Sequence, residues 1–340
     1  MSTQPLGERH RLSSPDAETH IRPLTVDVVI CTYTDARWEL LCRAVASVQQ
    51  QTAPVNAILL CVDHNDDLYE RCLRQWPADG QRQTPAVRVL RNRFDGRLGS
   101  ARNTAVERAD ASIIAFLDDD AQAEPTWVAT LLEVFRQPAA VAVGGAPLPS
   151  FETSRPGWFP PEFDWVFGCH YRGLPESLAP VRHLIGASMA VRTEALRSVG
   201  GFHSDDHDDM DLSHRIAGAF GAASVLYEPR ARISHFVPAQ RVTWTYFWRR
   251  CYTINRSKVR AFSDMEEAGN LGAELAFARA MVGTVISRLF GGLRGKPDLL
   301  GQAGAIIAGL AVAAIGHARG RVELRAGLLP TSKTVGLQGP

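Results

Sequence analysis

The alternation of short apolar runs with amphipathic segments between Val26 and Gly145 constrains this chain more than any other feature. Val26–Cys31 (VDVVIC), Ala57–Val62 (AILLCV), Val87–Leu90 (VRVL), Ser112–Leu117 (SIIAFL) and Val141–Gly145 (VAVGG) are strand-like in length and composition. Leu40, Leu41, Ala44, Val45 and Val48 recur at helical spacing between the first two. Further helices are expected near Leu68–Trp76, across Ala101–Arg108, and from Pro125, a residue suited to a first helical turn, to Phe135. Strands separated by helices predict an α/β fold: a mainly parallel sheet sandwiched by helices. Ligands of such sheets bind beyond the carboxyl ends of the strands. Oxygen-rich side chains collect there: Thr32 and Asp35 after the first strand, Asp63 after the second, and Asp118, Asp119 and Asp120 after the fourth. Turn and cap preferences account for Asp35 or Asp63 alone. They account poorly for three adjacent carboxylates, which repel one another and call for a positive group beside them.

The pattern breaks after Gly145. Pro147–Pro180 is rich in prolines and aromatics without a period and reads as a long functional loop. Regular structure resumes at Leu184–Arg192, and a helix from Thr193 is stopped by Gly200-Gly201. The segment Gly200–Gly221 holds five aspartates and three histidines. Leu212, Ile216 and Phe220 form one helical stripe, which puts Asp208, Asp209 and Asp211 at a helix N-terminus. A solvated capping turn is one reading, and a general base held opposite the first cluster is the other. His203, His207 and Asp208 match no standard zinc spacing.

Thr243–Phe262 interleaves aromatics with Arg249, Arg250, Arg256, Lys258 and Arg260. Such a stretch suits nucleic acid, an anionic membrane surface, or a helix packed on the domain. The net charge of +1 argues against nucleic acid. Leu275, Ala278, Val282, Val285, Ile286 and Leu289 form an apolar stripe, with Arg279, Arg288 and Arg294 in the same segment, as in an interfacial helix ending before Pro297. Leu299–Gly316 is uncharged but rich in Ala and Gly, and it barely meets the roughly 18-residue threshold of a spanning helix. Peripheral or re-entrant membrane attachment is expected, against a buried helical hairpin. Six cysteines without a C-x-x-C pair fit a reducing compartment and a cytoplasmic protein. The expected organisation is a disordered lead-in over 1–23, which lacks the apolar run of a secretory signal, an α/β domain over 24–262, a helical membrane-associating region over 263–320, and a tail over 321–340.

Five stretches then fall in a telling order: VVICTYTDARWELLCRAVASVQQQT, LLCVDHNDD, LGSARNTAVERADASIIAFLDDDA, GGFHSDDHDDMDLSHRI and YEPRARISHFVP. Together they make the chain resemble the family 2 glycosyltransferases of the GT-A fold over Val26–Lys258. The third stretch looks like the segment ending in the family's D-x-D motif, and the fourth like its acidic catalytic motif. The resemblance implies an inverting, metal-dependent transferase using a nucleotide-sugar donor, UDP-linked, and a glycan or polyprenyl-phosphate-linked acceptor at the inner face of the cell membrane. It implies Mg2+ or Mn2+ held by Asp120 and Asp118, with His235 assisting and Asp119 beside them. Asp63 would bond the base, with Thr32 and Asp35 nearby, and Arg102 and Asn103 match an Arg-Asn pair near the donor. Asp209 would be the general base, with Asp208 second. Two departures stand out: His64-Asn65-Asp66 replaces the family's usual turn after the second strand, and Asp208-Asp209 stands where Glu-Asp is usual. Arg102 as an ordinary surface arginine and His235 as a structural histidine remain open at this point. So do two other functions: a catalytically silent, membrane-docked relative, and a nucleotidyl- or phosphotransferase. The last would want a phosphate loop after the first strand, and CTYTDAR is not one.

Overall fold

The computed structural model describes residues 23–78, 85–203, 207–261, 272–328 and 337. The first 22 residues of the expected lead-in and most of the expected tail lie outside them.

Chain order gives β1 (Val26–Thr32), α1 (Trp38–Gln49), β2 (Ala57–Val62), α2 (Asp66–Gln75), β3 (Ala86–Arg91), α3 (Leu98–Arg108) and β4 (Ile113–Asp118). There follow β5 (Ala121–Ala123), α4 (Trp127–Phe135), β6 (Ala142–Phe151), β7 (Ala179–Pro180), β8 (Ser188–Arg192), α5 (Thr193–Ser198), α6 (Asp208–Phe220) and β9 (Val225–Val237). Three long helices close the chain: α7 (Trp244–Ala261), α8 (Gly272–Leu293) and α9 (Pro297–Arg325). The sheet order is β3-β2-β1-β4-β8-β6-β9-β5. β3, β2, β1 and β4 are mutually parallel, and β8 enters antiparallel between β4 and β6. One edge is β3, where Arg88 pairs with Asp110 at 2.8 Å. On the other, β9 is flanked by β5, only three residues long, and by β7, only two.

Burial on both faces explains the continuous apolar strands: every residue of β2 is buried. One core lies under α1, α2 and α4 and includes Leu41, Val45, Leu68 and Trp127. A second, with Phe116, Leu196, Phe202 and Ile216, lies on the face covered by α3, α5 and α6. Asn65 caps α2, its Oδ1 accepting from the Leu68 N–H at 3.0 Å. α3 shows little amphipathic period because Gly99 to Val106 are all buried, polar ones included.

Three expectations need correction. The segment Pro147–Pro180 is not simply a loop. β6 runs on through Phe151, and a 3-10 helix over Pro161–Phe167 carries aromatics into a third core with Phe159, Phe247, Met281 and Ile306. Phe220 leaves the α6 stripe and is exposed, because the helix ends against Gly221 at the surface. Arg288, grouped in the sequence with Arg279 and Arg294 on an interfacial helix, is buried instead, its Nη2 donating to both Glu162 carboxylate oxygens at 2.6 and 2.8 Å.

α9 packs along α7 and α8. Its glycines allow this, since a Cβ on Gly316 would collide with the backbone carbonyl of Tyr252, and one on Gly320 with that of Arg256. Met281 and Ile306 face that third core, whereas Leu275, Val282, Ile286, Leu289, Phe290 and Ile315 are exposed. Leu275–Leu293 and Pro297–Arg325 are long and apolar enough to cross a membrane, by length and composition. Gly316→Leu is expected to destabilise the fold by about 1–3 kcal/mol through overpacking. Gly304→Leu, with open space around its Cβ, is expected to be neutral. Thermal unfolding of the two variants checks this.

Candidate functional site

The carboxyl ends of β1, β2 and β4 open into a cavity of about 850 Å3. Strand register builds its acidic wall. Cys31 of β1 lies opposite Asp118 of β4, and the chain then reverses through Asp119 and Asp120 into β5, which pairs antiparallel with β9 so that Ala121 faces His235. The Phe236 N–H donates to the Asp120 carbonyl at 2.9 Å and locks this turn. Asp120 and His235, 115 residues apart in sequence, therefore meet.

Asp118, Asp120 and His235 offer donor atoms all within 4.8 Å of one another. His235 Nε2 is 3.4 Å from Asp120 and 3.8 Å from Asp118. Among the described residues this is the three-donor cluster; His203, His207 and Asp208 form none. Two carboxylates and an imidazole fit a divalent cation, and Asp118, 29 % exposed, leaves the cluster open to the cavity. Burial alone would lower the pKa of His235. Hydrogen bonds to Asp118 and Cys169 outweigh it and hold the imidazole well above its ordinary value. The Asp118 carboxyl would rise on burial, but His235, Arg102 and Arg37 bring it below its ordinary value.

The protein also supplies part of the positive charge that three aspartates demand. Arg37 lies 2.8 Å from Asp119 and 3.2 Å from Asp120. Asp119 turns away from the cation cluster: its Oδ1 accepts from Arg37 and its Oδ2 from the Thr32 hydroxyl at 2.8 Å. Burial, with repulsion from Asp120, lifts its pKa to about 6 against the pull of Arg37.

Arg102 joins the two acidic segments. It is buried in α3 and is no surface arginine. Its Nη1 donates to Asp208 at 2.6 Å, and its Nη2 to Asp118 at 3.3 Å and to the Gly186 carbonyl at 2.9 Å. Burial raises the Asp208 carboxyl to about 6; Arg102 opposes this, while Asp209 and Asp118 add to it. Asp209, the next residue, lines the cavity, its Oδ2 accepting from the Gly186 N–H at 2.9 Å.

Asp63 lines the cavity at the end of β2 and accepts from Asn92 at 2.7 Å, with His64 at 2.6 Å. Asn103 points elsewhere: its amide donates to the Phe202 carbonyl and accepts from the Phe202 N–H, both at 2.8 Å, and so fixes the start of the acidic segment. Asp35 is exposed, pairs with Arg71 at 3.1 Å and is not a lining residue. The lining residues Arg37, Arg97, Gly186, Arg241, Tyr246 and Arg250 carry no motif that marks them in the sequence. Two cues existed: Arg37 stands in the TDAR turn beside Thr32 and Asp35, and Tyr246 and Arg250 belong to the aromatic and basic stretch Thr243–Phe262.

A family model described as glycosyl transferase family 2 matches residues 27–200, just over half the chain. The glucosyl-dolichyl phosphate glucuronosyltransferase of Haloferax volcanii is 29 % identical over 245 residues, covering 69 % of this chain and 76 % of that protein. The pre-mycofactocin glycosyltransferase of Mycobacterium tuberculosis is 26 % identical over 221 residues, 60 % of this chain and 44 % of that protein. Among solved structures, the mannosyltransferase PcManGT of Pyrobaculum calidifontis, in complex with GDP-Man and Mn2+, matches with a TM-score of 0.55. That match covers 90 % of this chain and 76 % of the other at 18 % identity, a likeness of fold. The curled α/β sheet is thus that of the GT-A glycosyltransferases, and the chain belongs to glycosyl transferase family 2.

Proposed function

We propose that this glycosyltransferase is inverting and metal-dependent, and that it moves a sugar from a UDP-sugar to a hydroxyl of a polyprenyl-phosphate-linked acceptor at the inner face of the cell membrane. The observation that carries the reading is the single guanidinium of Arg102 shared by Asp118 and Asp208 at 3.3 and 2.6 Å. A donor-side acid and an acceptor-side acid are thereby held in one cavity. Residues 24–262 form the catalytic domain in this reading, and 263–320 its membrane-associating region.

Asp118, Asp120 and His235 would hold the cation, and an imidazole among the donors favours Mn2+ over Mg2+. When bound, the cation supplies Lewis acidity toward the departing diphosphate. The Asp63 carboxylate accepts a ring N–H of the base. Uracil and guanine both offer one, which makes GDP the competing outcome. Asp209, oriented by the Gly186 N–H, takes the acceptor hydroxyl proton. The hydroxyl oxygen bonds the anomeric carbon as the carbon–phosphate oxygen bond breaks, and its electron pair leaves with the nucleoside diphosphate. Attack from the opposite face inverts the centre. The exposed apolar rows of α8 and α9, and the likeness to a protein named for glucosyl-dolichyl phosphate, favour the lipid-linked acceptor over a free glycan.

Calorimetric titration of UDP and of GDP, with Mn2+ and then with EDTA, tests the reading. UDP binding is expected to require Mn2+ and to disappear in Asp120→Ala. A folded protein that binds neither nucleotide overturns it in favour of a silent, membrane-docked relative.

A further inference from the structure

Five arginines line the cavity: Arg37, Arg97, Arg102, Arg241 and Arg250. Arg37 is matched by Asp119 and Asp120, and Arg102 by Asp118 and Asp208. The side chains of Arg241 and Arg250 make no ion pair or hydrogen bond among the described residues. With Arg97, whose side chain also pairs with no carboxylate among the described residues, three lining arginines lack an acid, and Arg241 and Arg250 are the two that follow β9, where they leave room for an anion.

Their position says which anion. Arg97 precedes α3, in the half of the chain that carries Asp63 and His64. Arg241 and Arg250 come from the other end of the chain, after β9 and its His235. Arg241 closes the 3-10 turn after β9, and Arg250 lies one turn beyond Tyr246 on the same face of α7. Tyr246 also lines the cavity and stacks on Phe167 with ring centroids 6.2 Å apart. α7 is the helix on which α9 packs, so one rigid element joins these cations to the hairpin with its exposed Leu275, Val282, Ile286, Leu289 and Phe290. A ligand that satisfies both ends carries a phosphate on a long hydrocarbon.

We infer that Arg241 and Arg250, flanked by Tyr246, bind the phosphate of the lipid-linked acceptor, an assignment that rests on the acceptor class proposed above. The donor diphosphate is left to the cation that Asp118, Asp120 and His235 would hold in the same cavity, which makes it the competing occupant that the test must separate. Recognition is by charge-assisted hydrogen bonds from two guanidinium forks, so a prenyl phosphate binds and the corresponding prenyl alcohol does not.

The test is calorimetry on the full chain with farnesyl phosphate, farnesol and inorganic phosphate, alongside the nucleotide that binds with Mn2+. Farnesyl phosphate is expected to bind at least about tenfold tighter than farnesol, the scale of one or two hydrogen bonds to a charged group. Inorganic phosphate alone is expected to bind weakly. In Arg241→Ala/Arg250→Ala, farnesyl phosphate affinity is expected to fall about tenfold or more, with nucleotide affinity within about twofold of the parent. Arg241→Lys/Arg250→Lys, which keeps charge but not the fork, is expected to lie between, and unchanged thermal unfolding verifies folding. A drop in nucleotide affinity instead assigns the arginines to the donor and overturns the inference. Equal affinity for farnesyl phosphate and farnesol, or for farnesyl phosphate and inorganic phosphate, also overturns it. Nucleotide binding without farnesyl phosphate binding overturns the subsite and leaves the proposed function standing. Farnesyl phosphate binding without nucleotide binding does the reverse.

Discussion

Asp209→Asn is expected to lower kcat by roughly 10²–10⁴-fold, the usual contribution of a positioned general base, while nucleotide affinity stays near that of the parent. The amide is nearly isosteric, and its oxygen can still accept from the Gly186 N–H, which Asp209 Oδ2 does at 2.9 Å. Geometry is therefore kept and proton acceptance is lost. Asp208 is the competing base, but it is buried with its Oδ2 2.6 Å from Arg102, whereas Asp209 lines the cavity. Single-turnover kinetics beside calorimetry separates chemistry from binding. Near-normal turnover in Asp209→Asn would move the base to Asp208, and Asp208→Asn would then carry the large loss.

The second large effect is structural. Arg102→Met is expected to destabilise the protein by about 3–5 kcal/mol, because breaking a buried ion pair leaves an uncompensated buried charge. Two carboxylates lose their partner here, Asp208 at 2.6 Å and Asp118 at 3.3 Å, along with the Gly186 carbonyl at 2.9 Å. Adding Asp208→Asn removes one orphaned charge, so the double variant is expected to be more stable than Arg102→Met alone, a non-additive pair. Denaturant unfolding of the four proteins in the cycle measures it. Strict additivity would mean that Arg102 and Asp208 do not depend on each other.

Much of the sheet was legible because burial on two faces writes itself as continuous apolar runs. Ala57–Val62 coincides with β2, and the expected helix near Leu68–Trp76 appears as α2. The continuation of β6 through Pro147 and Pro149 was not legible, since proline argues against a strand. It is tolerated because β8 pairs with β6 only over Ala142–Gly144; beyond that, β6 pairs with β9 alone and its other side needs no ladder donor. Both acidic clusters announced themselves by charge density. Arg102 as the group that joins them did not, because pairing over 106 residues depends on how α3 sits under α6. Asn103, its neighbour in the same motif, holds the Phe202 backbone instead. Arg288 could not be told from its exposed neighbours on α8 without Glu162, whose place is set by the aromatic core.

The two ends of the sheet bear on how this protein behaves when concentrated. An unpaired strand flank is a template for another chain, and proteins blunt it with charge or brevity. Here β3 carries Arg88 and Arg91 on its exposed positions, and β5 offers three residues before the chain turns away. Strand-to-strand polymerisation is disfavoured at both flanks, with β7 covering a further part of β9 beside β5. The exposed apolar rows of the helical hairpin are the remaining surface for self-association, so detergent or lipid is expected to be what keeps the sample monodisperse.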